Sequence, residues 1–502
     1  MVFFLVAIIL SLHALIQPAH ADKVDKIQNI EVFVEEQREI SKIPGISLVI
    51  VKKGKTVYQN GFGYADVKEK TPVTSNTLFE LASTSKAFTG LAIFQLEKEG
   101  LLKRTDDVRK YIPWLELKYN GEPQEITINQ LLHHTSGIPS NSIVQIPESD
   151  ADNALELTVK TLLEQSLNRQ PGSSFEYATI NYDVLGLVIE NISKQPYDLY
   201  IKQHLLEETG MKDSFVGLHQ VTSEKLAKGY KIGFKRAQEY TPPTYSGNTP
   251  AAYLVSNTND IAKWLNLQLG TLQSDTISNQ TIKDSHIPDQ SVEPFDQDTY
   301  YAGGWSIMEK GNKQYILHAG ENPTFSSYFI MQPDKQLGVA VLSNMNSTYT
   351  TAIGQGVMNL WDGNSVNIIH SDSYQNLDRI VTTICSIVNS LGLILSILLL
   401  RILWKFARKQ RIRTKLKRKK IVLIVLHSLS VATIITFILT APKILLGGLN
   451  WGFIRVWAPT SISILYYSLI STVIIYYLLV LFLIITKKVG IKGLNGSDKN
   501  LG

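Results

Sequence analysis

The 502-residue chain carries 49 Lys and Arg against 44 Asp and Glu, and its formal net charge of +5 is unevenly spread. Residues 379–502 hold 18 of the basic residues and one acid, Asp498, so the first 378 residues are acidic by about 12 and the rest basic by about 17. The basic excess coincides with long apolar runs and therefore points to a membrane, not nucleic acid, while the single cysteine, Cys385, excludes an intramolecular disulfide and a cysteine-based zinc site.

Residues 1–17 are apolar, and Ala19-His20-Ala21 precedes Asp22 in the small-Xaa-small form of a signal-peptidase site. Residues 1–21 are therefore read as a cleaved export signal, although the n-region lacks Lys and Arg. Residues 24–41 have the pattern of an amphipathic helix. Gly45 to Val51, the turn Lys53-Gly54-Lys55 and Thr56 to Tyr58 read as a β-hairpin.

Phe79-Glu80-Leu81-Ala82-Ser83-Thr84-Ser85-Lys86 holds the one Ser-Xaa-Xaa-Lys of the chain. The run from Ala87 to Leu96 is apolar on nearly every side, as a helix buried within a domain requires, and Glu97 to Gly100 end it. Residues three apart share a helix face. The Lys86 ammonium is thus expected one turn from the Ser83 hydroxyl, where the helix N-terminus adds positive potential and the serine can become a nucleophile.

Ile126 to Pro139 is of helical and loop character and ends in the turn sequence Ser136-Gly137-Ile138-Pro139. Tyr315 to Leu317, Ser326 to Met331 and Gly338 to Ser343 are β-rich runs separated by turn residues. Strands at both ends with helices between them predict an α+β unit whose first and last segments share a sheet, over residues 22–365. Residues 366–378 read as a tether.

Residues 379–502 read as a membrane domain. The apolar spans at about 380–400, 421–441 and 460–486 each reach the ~20 residues needed to cross a bilayer and contain no Asp, Glu, Lys or Arg. Residues 401–420 carry eleven positive charges and no negative one, which puts that loop in the cytoplasm. Trp451, Phe453 and Trp457 suit the outer interface, and Lys487, Lys488 and Lys492 put the C-terminus inside. The domain before residue 366 is then outside the cell, in a multi-pass arrangement with the bilayer as one partner. Orientation alone explains the basic loop.

Two further stretches have the polar residues a Ser-Lys pair needs: Pro171 to Glu190, a loop entering an apolar helix, and Leu317 to Tyr328, one strand running into another. With Ser83-Xaa-Xaa-Lys86 they resemble the serine β-lactamase and D-alanyl-D-alanine peptidase superfamily, in the branch of class C β-lactamases, penicillin-binding esterases and D-aminopeptidases. The Pro171-Gly172-Xaa-Xaa-Phe175-Xaa-Tyr177 frame is intact, His318-Xaa-Gly320 stands for the third motif, and Leu132 to Pro139 matches a further habit of the branch. The three spans, the basic loop between the first two and the Asn450-Trp451-Gly452-Phe453 loop resemble, more narrowly, the membrane-anchored staphylococcal FmtA-like proteins.

The resemblance implies the β-lactamase/DD-peptidase fold, an antiparallel sheet flanked by helices plus a mainly helical subdomain, followed by three transmembrane helices. It implies no cofactor and no metal. Ser83 would be the acylated nucleophile, Lys86 would assist its deprotonation, and Tyr177, its pKa lowered by the lysine, would relay the proton. The N–H groups of Ser83 and Glu321 would form the oxyanion hole, with Gly320 allowing close approach, and His318 would bond Tyr177 or a substrate carboxylate.

Two departures stand out. Thr179 replaces the usual Asn, which is expected to weaken binding of amide substrates, and His318 replaces Lys and removes a permanent positive charge. Both tilt the expectation from β-lactamase toward an esterase or D-amino-acid hydrolase acting on D-alanyl groups of the cell envelope. A weakly hydrolytic sensing module is the alternative. His133 and His134 lack metal-ligand spacing and are expected to support a turn.

Overall fold

The run Gly45-Ile46-Ser47-Leu48-Val49-Ile50-Val51 has little polar alternation, as a strand covered on both faces requires. It forms β1 (Gly45–Lys52), hydrogen-bonded on one side to β2 (Lys55–Asp66), which continues into β3 (Thr71–Pro72). The computed structural model describes residues 26–221, 224–366 and 370–489, so the export signal at 1–21 and Lys492 lie outside the described residues. These fall into two units, one within residues 26–373 and one made of residues 374–489 with the segment Gly233–Arg236.

In the first unit a helix at residues 26–41 (α1) precedes β1, and β4 (Phe79–Glu80) precedes α2 (Lys86–Lys98). Helix α3 (Ile180–Ser193) and strand β5 (Leu254–Ser256) follow, then β6 (Thr299–Tyr301), β7 (Ser306–Lys310), β8 (Lys313–Glu321), β9 (Ser326–Gln332), β10 (Leu337–Ser343) and α4 (Tyr349–Trp361). The main sheet has 8 strands in the order β6-β7-β8-β9-β10-β1-β2-β3, with every neighbouring pair antiparallel. Pairing of β1 with β10 joins the two ends of the unit, as the sequence predicts.

Side chains alternate across this sheet. Ile46, Leu48, Ile50, Tyr328, Ile330, Val339 and Val341 pack with Ile30 and Val34 of α1 and Ile353 and Val357 of α4. Val49, Val51, Phe329, Met331, Ala340 and Leu342 face the opposite way, into the larger core that holds α2 and α3. Burial of both faces explains why β1, β9 and β10 read as continuous apolar runs.

Every residue of α2 from Lys86 to Leu96 is buried. Phe88 stacks on Trp264 with ring centroids 3.7 Å apart at 11°. Removing such a ring from a close-packed core costs about 3–5 kcal/mol. This packing fixes the helix whose first residue is Lys86.

In the second unit α5 (Ser373–Ala407), α6 (Arg418–Leu445) and α7 (Thr460–Ile485) are long and apolar enough to cross a membrane. The first begins at Ser373, within residues 366–378, and extends past the apolar span at both ends.

Candidate active site

Ser83 lies in a 3-10 turn, Ala82–Ser85, that runs directly into α2. The sequence suggests the first turn of an α-helix, but Ala82 takes the left-handed conformation at φ +50 and tightens the entry. An L-residue held there costs roughly 1–2 kcal/mol, which the surroundings must offset. They do so by hydrogen bonds: Leu81 N–H donates to Leu254 O at 2.8 Å, Leu254 N–H to Ser85 Oγ at 3.2 Å, and Thr84 Oγ1 to Leu81 O at 2.8 Å.

Strand β8 presses against this turn. A Cβ added to Gly320 would lie 2.5 Å from Leu81 O and 3.0 Å from Ala82 Cβ, so only glycine permits the approach. Glu321, the next residue, pairs with Ser326 at the end of the β8–β9 ladder.

Lys86 is wholly buried, and its Nζ has three oxygen neighbours: Ser83 Oγ at 3.1 Å, Thr179 Oγ1 at 3.0 Å and Ala251 O at 3.0 Å. Burial pulls its pKa down to about 7, against an opposing pull from Asp183. A neutral amine has two N–H donors and one lone pair. Ala251 O can only accept and Thr179 Oγ1 accepts readily, so both donors are used and the lone pair is left for the Ser83 hydroxyl. Thr179, in the Asn position, thus keeps a contact to the lysine.

Asp183 lies one turn beyond Thr179 on α3 and is also fully buried. Burial raises its pKa well above the usual carboxylate range, while Lys86 and the Ala251 N–H work the other way. Asn248 donates to both of its oxygens, at 3.2 and 2.9 Å, once its amide is turned to suit them. Sequence reasoning passed over Asp183. The signal was there, an acid inside a run from Ile180 to Ile189 in which Asn181 is the other strongly polar residue.

Tyr177 sits beside the pair, its ring centroid 5.1 Å from Lys86 Nζ. Its pKa differs from the sequence expectation: burial raises the phenol above its ordinary value, and a hydrogen bond with Ser83 only partly offsets this. The lysine does not lower it, because an amine that itself loses its proton near neutrality supplies little positive charge. Tyr177 is a phenol at neutral pH, not a phenolate.

His318 does not take Tyr177, the first of its two expected partners. Its Nδ1 lies 2.7 Å from Ala319 O, which requires a proton there, and its Nε2 then accepts from Tyr301 Oη at 2.8 Å. Both ring nitrogens are engaged, so no bond to Tyr177 forms, although the rings lie 6.3 Å apart. Burial and the Lys86 charge hold its pKa down to about 3 and keep it neutral.

His134, like Ala82, has positive φ, +57, and its Nδ1 accepts from the Asn181 amide at 2.9 Å. It ties the Thr135 turn to α3, as a turn-supporting residue should, and its ring lies 4.3 Å from that of Tyr177. His133 Nδ1 bonds Asn129 O at 2.8 Å, within its own turn.

Ser83, Lys86, Thr179, Tyr177 and His318 are therefore gathered around one centre, the Lys86, Thr179 and His318 side of it buried and Ser83 and Tyr177 half-buried, with Gly320 against the nucleophile turn. A family model described as β-lactamase matches residues 30–354. The chain belongs to the β-lactamase family. Protein flp of Staphylococcus aureus strain MW2 is 31% identical over 476 residues, covering 93% of this chain and 92% of the relative. Penicillin-binding protein 4* of Bacillus subtilis is 28% identical over 342 residues, 64% of this chain and 72% of that protein. The structure of the octameric penicillin-binding protein homologue from Pyrococcus abyssi superimposes with a TM-score of 0.60 at 28% identity, over 71% of this chain and 81% of that one. A class C β-lactamase, 19% identical with a TM-score of 0.59 over 68% of this chain and 98% of that one, shares the fold. This β-lactamase family is one of serine hydrolases, and three apolar helices give this member the means of membrane association.

Proposed function

We propose that the protein is a membrane-anchored serine hydrolase that forms an acyl-enzyme on Ser83 and acts on D-alanyl esters or amides outside the cell. The observation that carries this reading is the 3.1 Å contact between Lys86 Nζ and Ser83 Oγ, made by a lysine poised to be neutral near pH 7. The neutral amine takes the Ser83 proton as Oγ attacks the acyl carbonyl. The N–H groups of Ser83 and Glu321 receive the oxyanion. Tyr177, a phenol at this pH, donates its proton to the leaving oxygen or nitrogen, and the proton that Lys86 took from Ser83 replaces it.

The D-alanyl class is supported by the names of the two relatives described as penicillin-binding, at 28% identity each. Neutral His318 offers no fixed cation for a terminal carboxylate, which favours esters and internal acyl groups over free carboxylate ends. The eleven cations of residues 401–420 support a cytoplasmic loop and hence an extracytoplasmic hydrolase.

A fluorescent acyl-enzyme probe is expected to label the wild-type protein and not Ser83→Ala. Equal labelling of both removes Ser83 from the mechanism.

A further inference from the structure

Orientation in a membrane explains how many cations the 401–420 loop carries, but it does not require that loop to fold. Within the second unit, β11 (Arg411–Arg413) pairs antiparallel with β12 (Thr486–Lys488), Arg411 opposite Lys488 and Ile412 opposite Lys487. The pairing continues at both ends, with Val489 N–H donating to Gln410 O at 3.0 Å and Thr414 N–H to Ile485 O at 2.9 Å.

Two cations are used internally. Arg411 is buried and donates to Thr486 Oγ1 at 2.9 Å and to Thr486 O at 3.2 Å. Lys420, in the first turn of α6, donates to Thr414 Oγ1 at 2.6 Å and to Ile484 O at the C-terminal end of α7 at 2.7 Å. That is where a helix dipole favours positive charge.

Arg413, Lys415, Lys417, Lys419, Lys487 and Lys488 are left exposed. No acidic residue occurs between Asp378 and Asp498 to offset them. Pairing two distant segments of like charge brings cations within a Debye length of roughly 8–10 Å, which is unfavourable until anions stand opposite them. Ile412 and Leu416, 43% and 45% exposed, lie among the cations as apolar side chains facing out. The whole feature sits where α6 begins and α7 ends, at headgroup depth if those helices span the bilayer.

We propose that this two-stranded clip binds the phosphates of anionic phospholipid headgroups, Lys487 on the face it shares with Ile412 and Arg413 with Lys488 on the other, with Ile412 and Leu416 among the first acyl carbons. A soluble acidic protein or nucleic acid would match the charge but not the exposed apolar pair. The inference rests on the membrane-spanning reading of α6 and α7.

The test uses the full chain in nanodiscs of phosphatidylcholine alone and of phosphatidylcholine with phosphatidylglycerol. Retained lipid is counted by native mass spectrometry and stability is read from thermal melting. Phosphatidylglycerol is expected to be retained selectively and to raise the melting temperature. In the triple variant R413Q/K487Q/K488Q retention is expected to fall on the order of a hundredfold, at roughly fivefold per cation near an anionic surface. Ile412→Ser is expected to weaken retention with the charges intact.

Equal retention by wild type and triple variant overturns the proposal. So does the same stabilisation by inorganic phosphate in phosphatidylcholine nanodiscs, which would mark a site for the free anion. A chain that stays soluble without detergent and never enters a nanodisc overturns the membrane reading itself, an outcome distinct from entry without lipid preference.

Discussion

The side-chain amide of Asn322 donates to the carboxyl of Glu80 at 2.6 Å and to Ala252 O at 3.0 Å, so one residue ties together the three segments that build the site. Glu80 lies three residues before Ser83, Asn322 follows Glu321, and Ala252 follows the carbonyl that receives Lys86. Burial raises the Glu80 pKa to about 7, partly offset by the Asn322 bond. A carboxyl raised from its unfolded value of about 4.3 binds more protons folded than unfolded, so its contribution is fully present below pH 4 and is lost as pH rises through 7. Glu80→Gln keeps an acceptor for Asn322 and removes the titration. Wild type is expected to lose up to about 3 kcal/mol relative to Glu80→Gln between pH 4 and pH 8. Chemical denaturation of both proteins across that range checks this, and parallel curves would show that Glu80 does not titrate there.

Lys86 sets the expected pH dependence of acylation. Its pKa is depressed to about 7 by burial, so the base form grows in as pH rises, and kcat/KM should climb with an apparent pKa near 7 and then level off. Asp183 favours the ammonium, hence Asp183→Asn is expected to move that limb to lower pH. Lys86→Arg, permanently charged, is expected to lose at least a hundredfold of the rate. A pH profile unchanged in Asp183→Asn would separate the carboxylate from the lysine.

The parts of this site legible in the sequence are those where one residue type answers to one chemical need. Ser83-Xaa-Xaa-Lys86 before a run apolar on nearly every side gave a buried helix with its lysine under a serine, and the Tyr177 frame placed a phenol nearby. Charge states were harder to read. Whether Tyr177 or Lys86 is the neutral-pH base depends on how deeply each is buried, a property of the tertiary packing. His318 found Tyr301 instead of Tyr177 because β6 lies two places from β8 across β7 in the sheet, and nothing in the local pattern around Tyr301 announces that. The two strands Thr299–Tyr301 and Ser306–Lys310 were missed for a related reason: they are short and carry polar residues, so they lack the long apolar run that marked β1 and β10.

Thr179 tests whether a hydroxyl suffices where the family pattern has an amide. Thr179→Val keeps the shape and removes the acceptor at 3.0 Å from Lys86 Nζ, which leaves a buried N–H unpaired. Such a loss costs about 1–3 kcal/mol, so acylation is expected to slow roughly tenfold to a hundredfold. Thr179→Asn restores an amide that can reach both the lysine and an amide substrate. Its expected effect is a higher ratio of kcat/KM for a D-alanyl amide over the matching ester, measured side by side.

Gly320 decides how close β8 comes to the nucleophile. A Cβ there would meet the Leu81 carbonyl at 2.5 Å, and that carbonyl is backbone, already accepting from Thr84, so it cannot swing aside as a side-chain tip could. Gly320→Ala is therefore expected to push the strand outward and misplace the Glu321 N–H relative to Ser83. Losing one oxyanion donor typically costs 10²–10³ in turnover, and a drop of that order in kcat with little change in KM is the expected result. The melting temperature serves as the second readout. If Gly320→Ala melts like wild type and acylates at the wild-type rate, Glu321 has no part in holding the oxyanion.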